Sequence, residues 1–135
     1  MSTLRTLALL LAVAPGCVVY ADGSGPAPRP NITYADAGCY WDNGYLDYVV
    51  YFDVDVADGE NGRTVEAVFA DVYDDVTNQW VDTFELYPEG GVTWFSAWVG
   101  NSTYVDCRYP HYIVDITAQT YAGEVEIVTV PLIRY

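Results

Sequence analysis

The segment from residue 111 to residue 130 constrains the fold most, because its side chains alternate between apolar and polar with a period of two. In its first half, polar residues separate the apolar residues of one face, Tyr112, Val114, Ile116 and Ala118. This period buries one face of a β-strand and leaves the other in water. Gly123 permits a tight turn, and a second β-branched run follows at residues 125–130. The segment therefore predicts two antiparallel strands rather than a helix.

Similar short runs recur along the chain, and clusters of turn-forming residues separate them. The clearest is at residues 46–56, where one face is wholly apolar, and no segment has a sustained helical period. Seven strands are predicted in all, at residues 32–41, 46–56, 64–73, 79–87, 92–99, 112–119 and 125–130. Short strands at this spacing predict an all-β fold, and we expect a single antiparallel β-sandwich of about seven strands.

The N-terminal residues have the composition of an export signal. One charged residue, Arg5, precedes the apolar run at residues 7–14, which is too short to cross a bilayer as a helix. The following Ala-Pro-Gly-Cys sequence, which ends at Cys17, resembles the lipobox of bacterial lipoproteins. The resemblance implies that Cys17 is lipidated after cleavage and that the protein is anchored at the outer membrane. Cleavage after Ala21, which would give a secreted or periplasmic soluble domain, is the alternative.

Three regions follow from these patterns. Residues 1–16 are the predicted lipoprotein signal peptide, and residues 17–30 are the lipidated cysteine with a flexible linker rich in Gly and Pro. Residues 31–135 form the predicted β-sandwich domain. One domain of about 100 residues is a common size for a single hydrophobic core.

The net charge excludes two classes of partner. The chain has 19 acidic residues, five Arg and no Lys, and its formal charge is -14. Such a surface repels nucleic acid and anionic lipid headgroups. We therefore expect no nucleic-acid partner, and contact with a membrane only through the lipid anchor.

The spacing of Tyr112, Val114, Ile116, Ala118 and Gly123 resembles the penultimate strand and final turn of fibronectin type III and related immunoglobulin-like domains. The resemblance implies an immunoglobulin-like sandwich. It also implies a structural corner role for Tyr112, whose hydroxyl would hold the preceding loop. The spacing of Cys and Trp found in antibody domains is absent, so no particular immunoglobulin family is assigned.

Export also determines how the three cysteines are interpreted. Lipidation or removal accounts for Cys17, which leaves Cys39 and Cys107 as an even pair in an oxidising compartment. We expect them to form a disulfide. His111 is the only additional soft metal ligand, too few for a structural zinc site, and the acid-rich turn at residues 53–61 lacks the ligand spacing of an EF-hand. No metal or cofactor is predicted.

The run at residues 92–99 provides the one candidate binding site. Trp94 and Trp98 share one face with Ser96, while smaller residues share the other. If the smaller face is the core, the two indoles form an exposed aromatic pair that binds a ligand. The alternative is that both indoles fill the core.

No catalytic constellation is recognisable. His111 is the only histidine, and no serine lies in a nucleophile-elbow sequence. We therefore expect a non-catalytic lipoprotein of the cell envelope, a binding or structural module for an envelope protein or a glycan. A carbohydrate-binding module that uses Trp94 and Trp98 is the first alternative, and a small envelope hydrolase that uses acidic residues is the second.

Overall fold

A computed structural model of the chain describes residues 29–57 and 64–135. The predicted signal peptide, Cys17 and residues 18–28 of the linker lie outside the described residues. Residues 58–63 of the acid-rich turn also lie outside them.

The described residues form eight β-strands and one short 3-10 turn, Gly100–Ser102, so the predicted all-β fold class is confirmed. Seven strands lie where the sequence predicts them, and β8 is additional. Their bounds are β1 (Asn31–Asp42), β2 (Asp47–Ala57), β3 (Val65–Asp74), β4 (Trp80–Gly90), β5 (Thr93–Val99), β6 (Tyr112–Thr120), β7 (Val125–Pro131) and β8 (Ile133–Arg134). Across residues 29–57 and 64–135, no helix has the length and apolar character needed to cross a bilayer.

The strands form one mixed sheet in the order β7-β6-β3-β4-β5-β2-β1-β8. The expectation of a purely antiparallel arrangement is wrong, because β8 pairs with β1 in parallel through Gly38↔Ile133 and Cys39↔Arg134. After β7 the chain leaves β6, with the Leu132 amide donating to the Tyr112 carbonyl at 3.3 Å. It then continues beside β1 as β8.

The strand β4 makes the sheet continuous, because it pairs with two different neighbours along its length. Its first part pairs with β3, as in Val68↔Leu86, and its last part pairs with β5, as in Tyr87↔Phe95. On the other side, the Ile32 amide of β1 donates to Oε1 of Glu126 in β7 at 2.6 Å. The sheet is therefore nearly closed, in the manner of a barrel.

The core lies inside this sheet and is built from the inward rows of the strands. Phe52 of β2 and Phe84 of β4 meet at its centre with ring centroids 4.9 Å apart. Burial of each large apolar side chain contributes about 1.5–3 kcal/mol. Besides the half-cystine Cys39, the fully buried apolar residues are Ala37, Val50, Phe52, Val54, Val56, Val68, Ala70, Val72, Leu86, Val114, Ile116 and Ala118.

The loop before β6 covers one end of the core, and a disulfide and several hydrogen bonds hold it in place. The predicted disulfide between Cys39 and Cys107 is present, with a sulfur-sulfur distance of 2.04 Å. The Tyr112 hydroxyl accepts a hydrogen bond from the Asp106 amide at 3.1 Å. This is the contact that the resemblance implied for Tyr112. The Tyr109 hydroxyl donates to Oδ1 of Asp74 at 3.0 Å.

We expect the paired substitution Cys39→Ser and Cys107→Ser to lower the free energy of unfolding by up to about 4 kcal/mol, because the bond closes a long loop in the unfolded chain. The two half-cystines are 68 residues apart in sequence. Urea unfolding of the variant and of the oxidised parent protein provides the measurement. The parent protein treated with a reductant is the control and should unfold at the variant's midpoint. Equal midpoints for the oxidised protein and the variant would contradict a stabilising bond.

Candidate binding surface

The predicted pair of exposed indoles is not formed. Trp94 is 8% exposed and belongs to the core, whereas Trp98 is 43% exposed and its indole nitrogen donates to Ser96 Oγ at 2.7 Å. The pairing of β5 with β2 explains the result. Trp94 lies opposite Val54, a fully buried residue, so this face of β5 must point inward. Trp98 lies on the same face, at the end of the strand next to the 3-10 turn.

The opposite side of the same strands carries a groove of about 520 Å³, here called the tyrosine groove. It is formed by residues of β1, β2 and β5 and by the residue that follows β8. Its lining residues are Asp36, Tyr40, Tyr51, Phe95 and Tyr135.

A glycine in β1 allows the groove to form. A Cβ atom added to Gly38 would lie 2.8 Å from Cε2 of Tyr135 and 2.9 Å from Cε1 of Tyr51. The two rings therefore close over a position where β1 has no side chain. Tyr51 stacks on Tyr135 with centroids 6.3 Å apart, and Tyr40 is tilted against Tyr51 at 5.9 Å.

The carboxylate of Asp36 lies among these rings and accepts two hydroxyl hydrogen bonds. Tyr51 donates to its Oδ2 at 2.8 Å, and Tyr135 donates to its Oδ1 at 3.5 Å. Burial, followed by the side-chain hydrogen bonds of Tyr51 with Asp36 and with Tyr135, raises the pKa of Tyr51. The negative charge of Asp36 raises the pKa of the neighbouring Tyr34 as well. Both phenols therefore keep their protons at neutral pH.

Three more carboxylates, here called the acidic border, lie on the same side of the sheet: Asp53, Asp55 and Glu89. Asp53 pairs with Asp36 across β1 and with Phe95 across β5. Burial is the main cause that raises the pKa of Asp53, followed by the charges of Asp55, Asp36 and Glu89. These charges therefore repel one another in the folded protein.

No basic side chain of the described residues neutralises these carboxylates. The two ion pairs in this part of the chain join Arg29 to Glu124 at 3.5 Å and Arg108 to Asp106 at 3.4 Å. Asp55 instead accepts the Thr93 hydroxyl at 2.8 Å. The surface around the groove therefore combines exposed aromatic rings with uncompensated negative charge.

A second, smaller groove of about 310 Å³ lies beside the disulfide, and Trp41, Asp47 and Arg108 are among its lining residues. Both carboxylate oxygens of Asp47 already accept backbone hydrogen bonds, from Tyr48 at 2.7 Å and from Asn101 at 3.1 Å. This carboxylate serves the local loop structure, so the tyrosine groove is the stronger candidate.

Metal-binding side chains do not converge in the described part of the chain. Within residues 29–57 and 64–135, no group of three or more His, Cys, Asp or Glu is placed to hold a metal ion. His111 is exposed, and its ring packs edge-on against Tyr109 with centroids 5.4 Å apart.

Sequence reasoning did not identify the tyrosine groove, although one signal was present. Tyr51 lies among acidic residues on the water-facing side of β2, where a polar side chain is the usual choice. Its partners Tyr135 and Asp36 are separated by 99 positions in sequence, so only the fold brings them together.

Comparisons with known proteins support the fold and give no function. No protein-family model matches the sequence, and no curated protein matches it. Among solved structures, the chain is similar to the crystal structure of an engineered protein, with a TM-score of 0.52 and 22% sequence identity. The match covers 93% of this chain and 21% of that chain, so the present chain spans about a fifth of its length.

Substituting Asp53 by Asn should stabilise the protein at neutral pH. The pKa of Asp53 in the folded protein is raised above its ordinary value of 3.8. The folded state therefore binds this proton more tightly than the unfolded state does, and stability falls as pH rises through the folded-state pKa. We expect Asp53→Asn to raise the thermal midpoint at pH 7. The gain should vanish below pH 3.8, the ordinary pKa of this carboxyl group, where Asp53 is protonated in both states.

The matched control for this measurement is Asp115→Asn on the other half of the sheet. Asp115 accepts the Thr129 hydroxyl at 2.6 Å and lies away from the acidic border, so its substitution removes one negative charge without relieving repulsion there. An unchanged or lower midpoint for Asp53→Asn at pH 7 would contradict repulsion at the acidic border.

Proposed function

We propose that this protein is an exported, non-catalytic binding domain that is held at the cell envelope by a lipid on Cys17 and binds its ligand at the tyrosine groove. The observation that carries the proposal is the groove itself. Exposed rings lower solubility, and carboxylates that repel one another lower stability. On a monomer, exposed apolar patches mark contact sites. Tyr40 and Tyr135 are both exposed, the latter by 66%.

The strand pairing supports an immunoglobulin-like sandwich as the finer description of the fold. β1, β2, β5 and β8 pair among themselves, as do β3, β6 and β7, and β4 joins the two groups. Immunoglobulin-like domains divide their strands in this way between two facing sheets. The Tyr112 hydroxyl bond to the loop before it supports the same description.

Export and lipid attachment have two separate supports. The Cys39 to Cys107 bond is compatible with an oxidising compartment outside the cytoplasm. The apolar run before Cys17 and the small residues next to it resemble a lipoprotein signal. An outer-membrane address agrees with Val18 following the cysteine, where proteins retained at the inner membrane often have Asp.

The side chains that line the groove favour a binding function over hydrolysis. Its lining contains no histidine, serine or cysteine, and its one carboxylate, Asp36, is engaged by two tyrosine hydroxyls. A general acid or base needs a carboxyl group that is free to exchange its proton with a substrate.

A glycan is the second candidate ligand, and the groove itself favours it. Rings such as Tyr40 and Tyr135 offer flat apolar surfaces for sugars, and the carboxylates offer hydrogen-bond acceptors. Because Trp94 is buried, a carbohydrate-binding role would use the tyrosine groove rather than the tryptophan pair expected from the sequence.

The proposal is tested by presenting the purified full chain to an array of bacterial envelope glycans and to an array of short peptides. We expect binding on at least one array, and we expect the double substitution Tyr40→Ala and Tyr135→Ala to abolish it. Tyr121→Ala is the matched control, because Tyr121 is 72% exposed on the turn after β6 and lies outside the groove lining. Binding on neither array, or binding that survives the double substitution, would contradict the proposal. Turnover of chromogenic glycosides would contradict its non-catalytic part.

Lipid attachment has its own test. We expect intact-mass analysis of membrane fractions to find a chain that begins at a diacylated Cys17, because the lipobox resemblance implies cleavage immediately before it. The substitution Cys17→Ser should release the protein from the membrane fraction. Recovery of an unmodified soluble chain that starts at Asp22 would instead indicate a secreted domain.

A further inference from the structure

We propose that the tyrosine groove takes a lysine or arginine side chain from an exposed segment of a partner protein. Its cationic group would lie against the rings of Tyr51 and Tyr135 and face the carboxylate of Asp36. This inference rests on the proposed function and names the ligand class of the same site.

Charge is the first argument. Asp36 and the acidic border give this side of the sheet four carboxylates, and the described residues contain no ion pair to any of them. The nearest strand with a basic residue is β8, but Arg134 lines a separate pocket on the side of Cys107 and Arg108. The whole chain has no lysine. A cation supplied from outside would therefore relieve repulsion that the fold leaves in place.

The rings are the second argument. A cation within about 6 Å of an aromatic centroid is attracted by the ring quadrupole. The centroid of the Tyr51 ring lies 5.9 Å from that of Tyr40 and 6.3 Å from that of Tyr135. One cationic group placed between Tyr51 and either neighbour therefore contacts two rings. A guanidinium also stacks on such rings through its flat face. The groove thus combines the two features that recognise a basic side chain, a carboxylate and aromatic faces.

Size and charge together favour a protein segment over other ligands. A groove of about 520 Å³ has room for a side chain that a partner's exposed segment inserts. A neutral glycan can donate hydrogen bonds to these carboxylates, but it leaves their mutual repulsion in place. Nucleic acid and anionic lipid are repelled by the net charge of -14. A basic segment gains from both the carboxylates and the rings.

The experiment measures binding of the full chain to a short synthetic peptide in which lysine alternates with threonine. In an extended peptide this spacing places every lysine on one face. A second peptide has glutamine in place of each lysine. Isothermal titration calorimetry should detect the lysine peptide and not the glutamine peptide. The affinity should fall as salt is raised, because exposed charges are screened beyond about 8 Å at 0.15 M salt.

Two pairs of variants separate the site from general attraction to an acidic protein. Asp53→Asn and Asp115→Asn remove the same charge, but only Asp53 lies beside the groove. We expect Asp53→Asn to weaken lysine-peptide binding about three- to fivefold, the effect of one exposed ion pair, and Asp115→Asn to change it by less than about twofold. Tyr135→Leu, which keeps an apolar side chain but removes the ring, should weaken binding as well, and Tyr121→Leu should not. Thermal unfolding of each variant confirms that it is folded.

Four results would overturn the inference. Equal weakening by Asp53→Asn and Asp115→Asn would indicate general attraction to net charge. Equal binding of the glutamine peptide would exclude recognition of the cation. Binding of free lysine amide as tight as binding of the peptide would point to a small amine rather than a protein segment. Binding of a glycan that depends on Tyr40 and Tyr135, without any peptide binding, would overturn this inference and leave the proposed function standing.

Discussion

The rest of the structure depends on how β2 is held: it pairs with β5, and its Phe52 packs against Phe84 of β4. Side chains of a strand alternate between its faces, so burial of Val50, Phe52 and Val54 forces the residues between them to point outward. Tyr51 and Asp53 are those residues, and they form the middle of the candidate site. A register shift of one residue would exchange the two sets. The core and the candidate binding surface are thus fixed by the same contact.

Much of the fold was predictable because local pattern determines strand position. The seven strands were predicted from alternation, and the disulfide from the two cysteines that remain after export. The contact of the Tyr112 hydroxyl was implied by the resemblance to immunoglobulin-like domains. β8 was not predictable, because two residues carry no period and its partner, β1, lies about a hundred positions away in sequence. The orientation of β5 was ambiguous, because both of its faces are apolar. Only its pairing with β2 directs Trp94 into the core.

The candidate site could not be assembled from sequence for a related reason. Its residues come from β1, β2, β5 and the position after β8, and none of the local segments contains a recognisable motif. Tyr51 alone departs from its local pattern, since an aromatic residue occupies the polar side of a strand. Departures of this kind, where local preference and tertiary position disagree, are where functional sites are expected. Asp53 shows a similar conflict, because burial and the neighbouring carboxylates raise its pKa in the position that the fold imposes.

The position of the disulfide has a mechanical consequence for a domain attached through the segment before β1. A pulling force that enters at Asn31 would act along β1 and separate it from β2 one residue at a time. The hydrogen-bonded pairs available to be broken end at Gly38, because the next residue, Cys39, is covalently joined to Cys107. Beyond that residue the load passes through the sulfur-sulfur bond into the loop before β6. The pairs beyond the disulfide, from Cys39↔Val50 to Asp42↔Asp47, would therefore be shielded from tension that the first half of β1 absorbs.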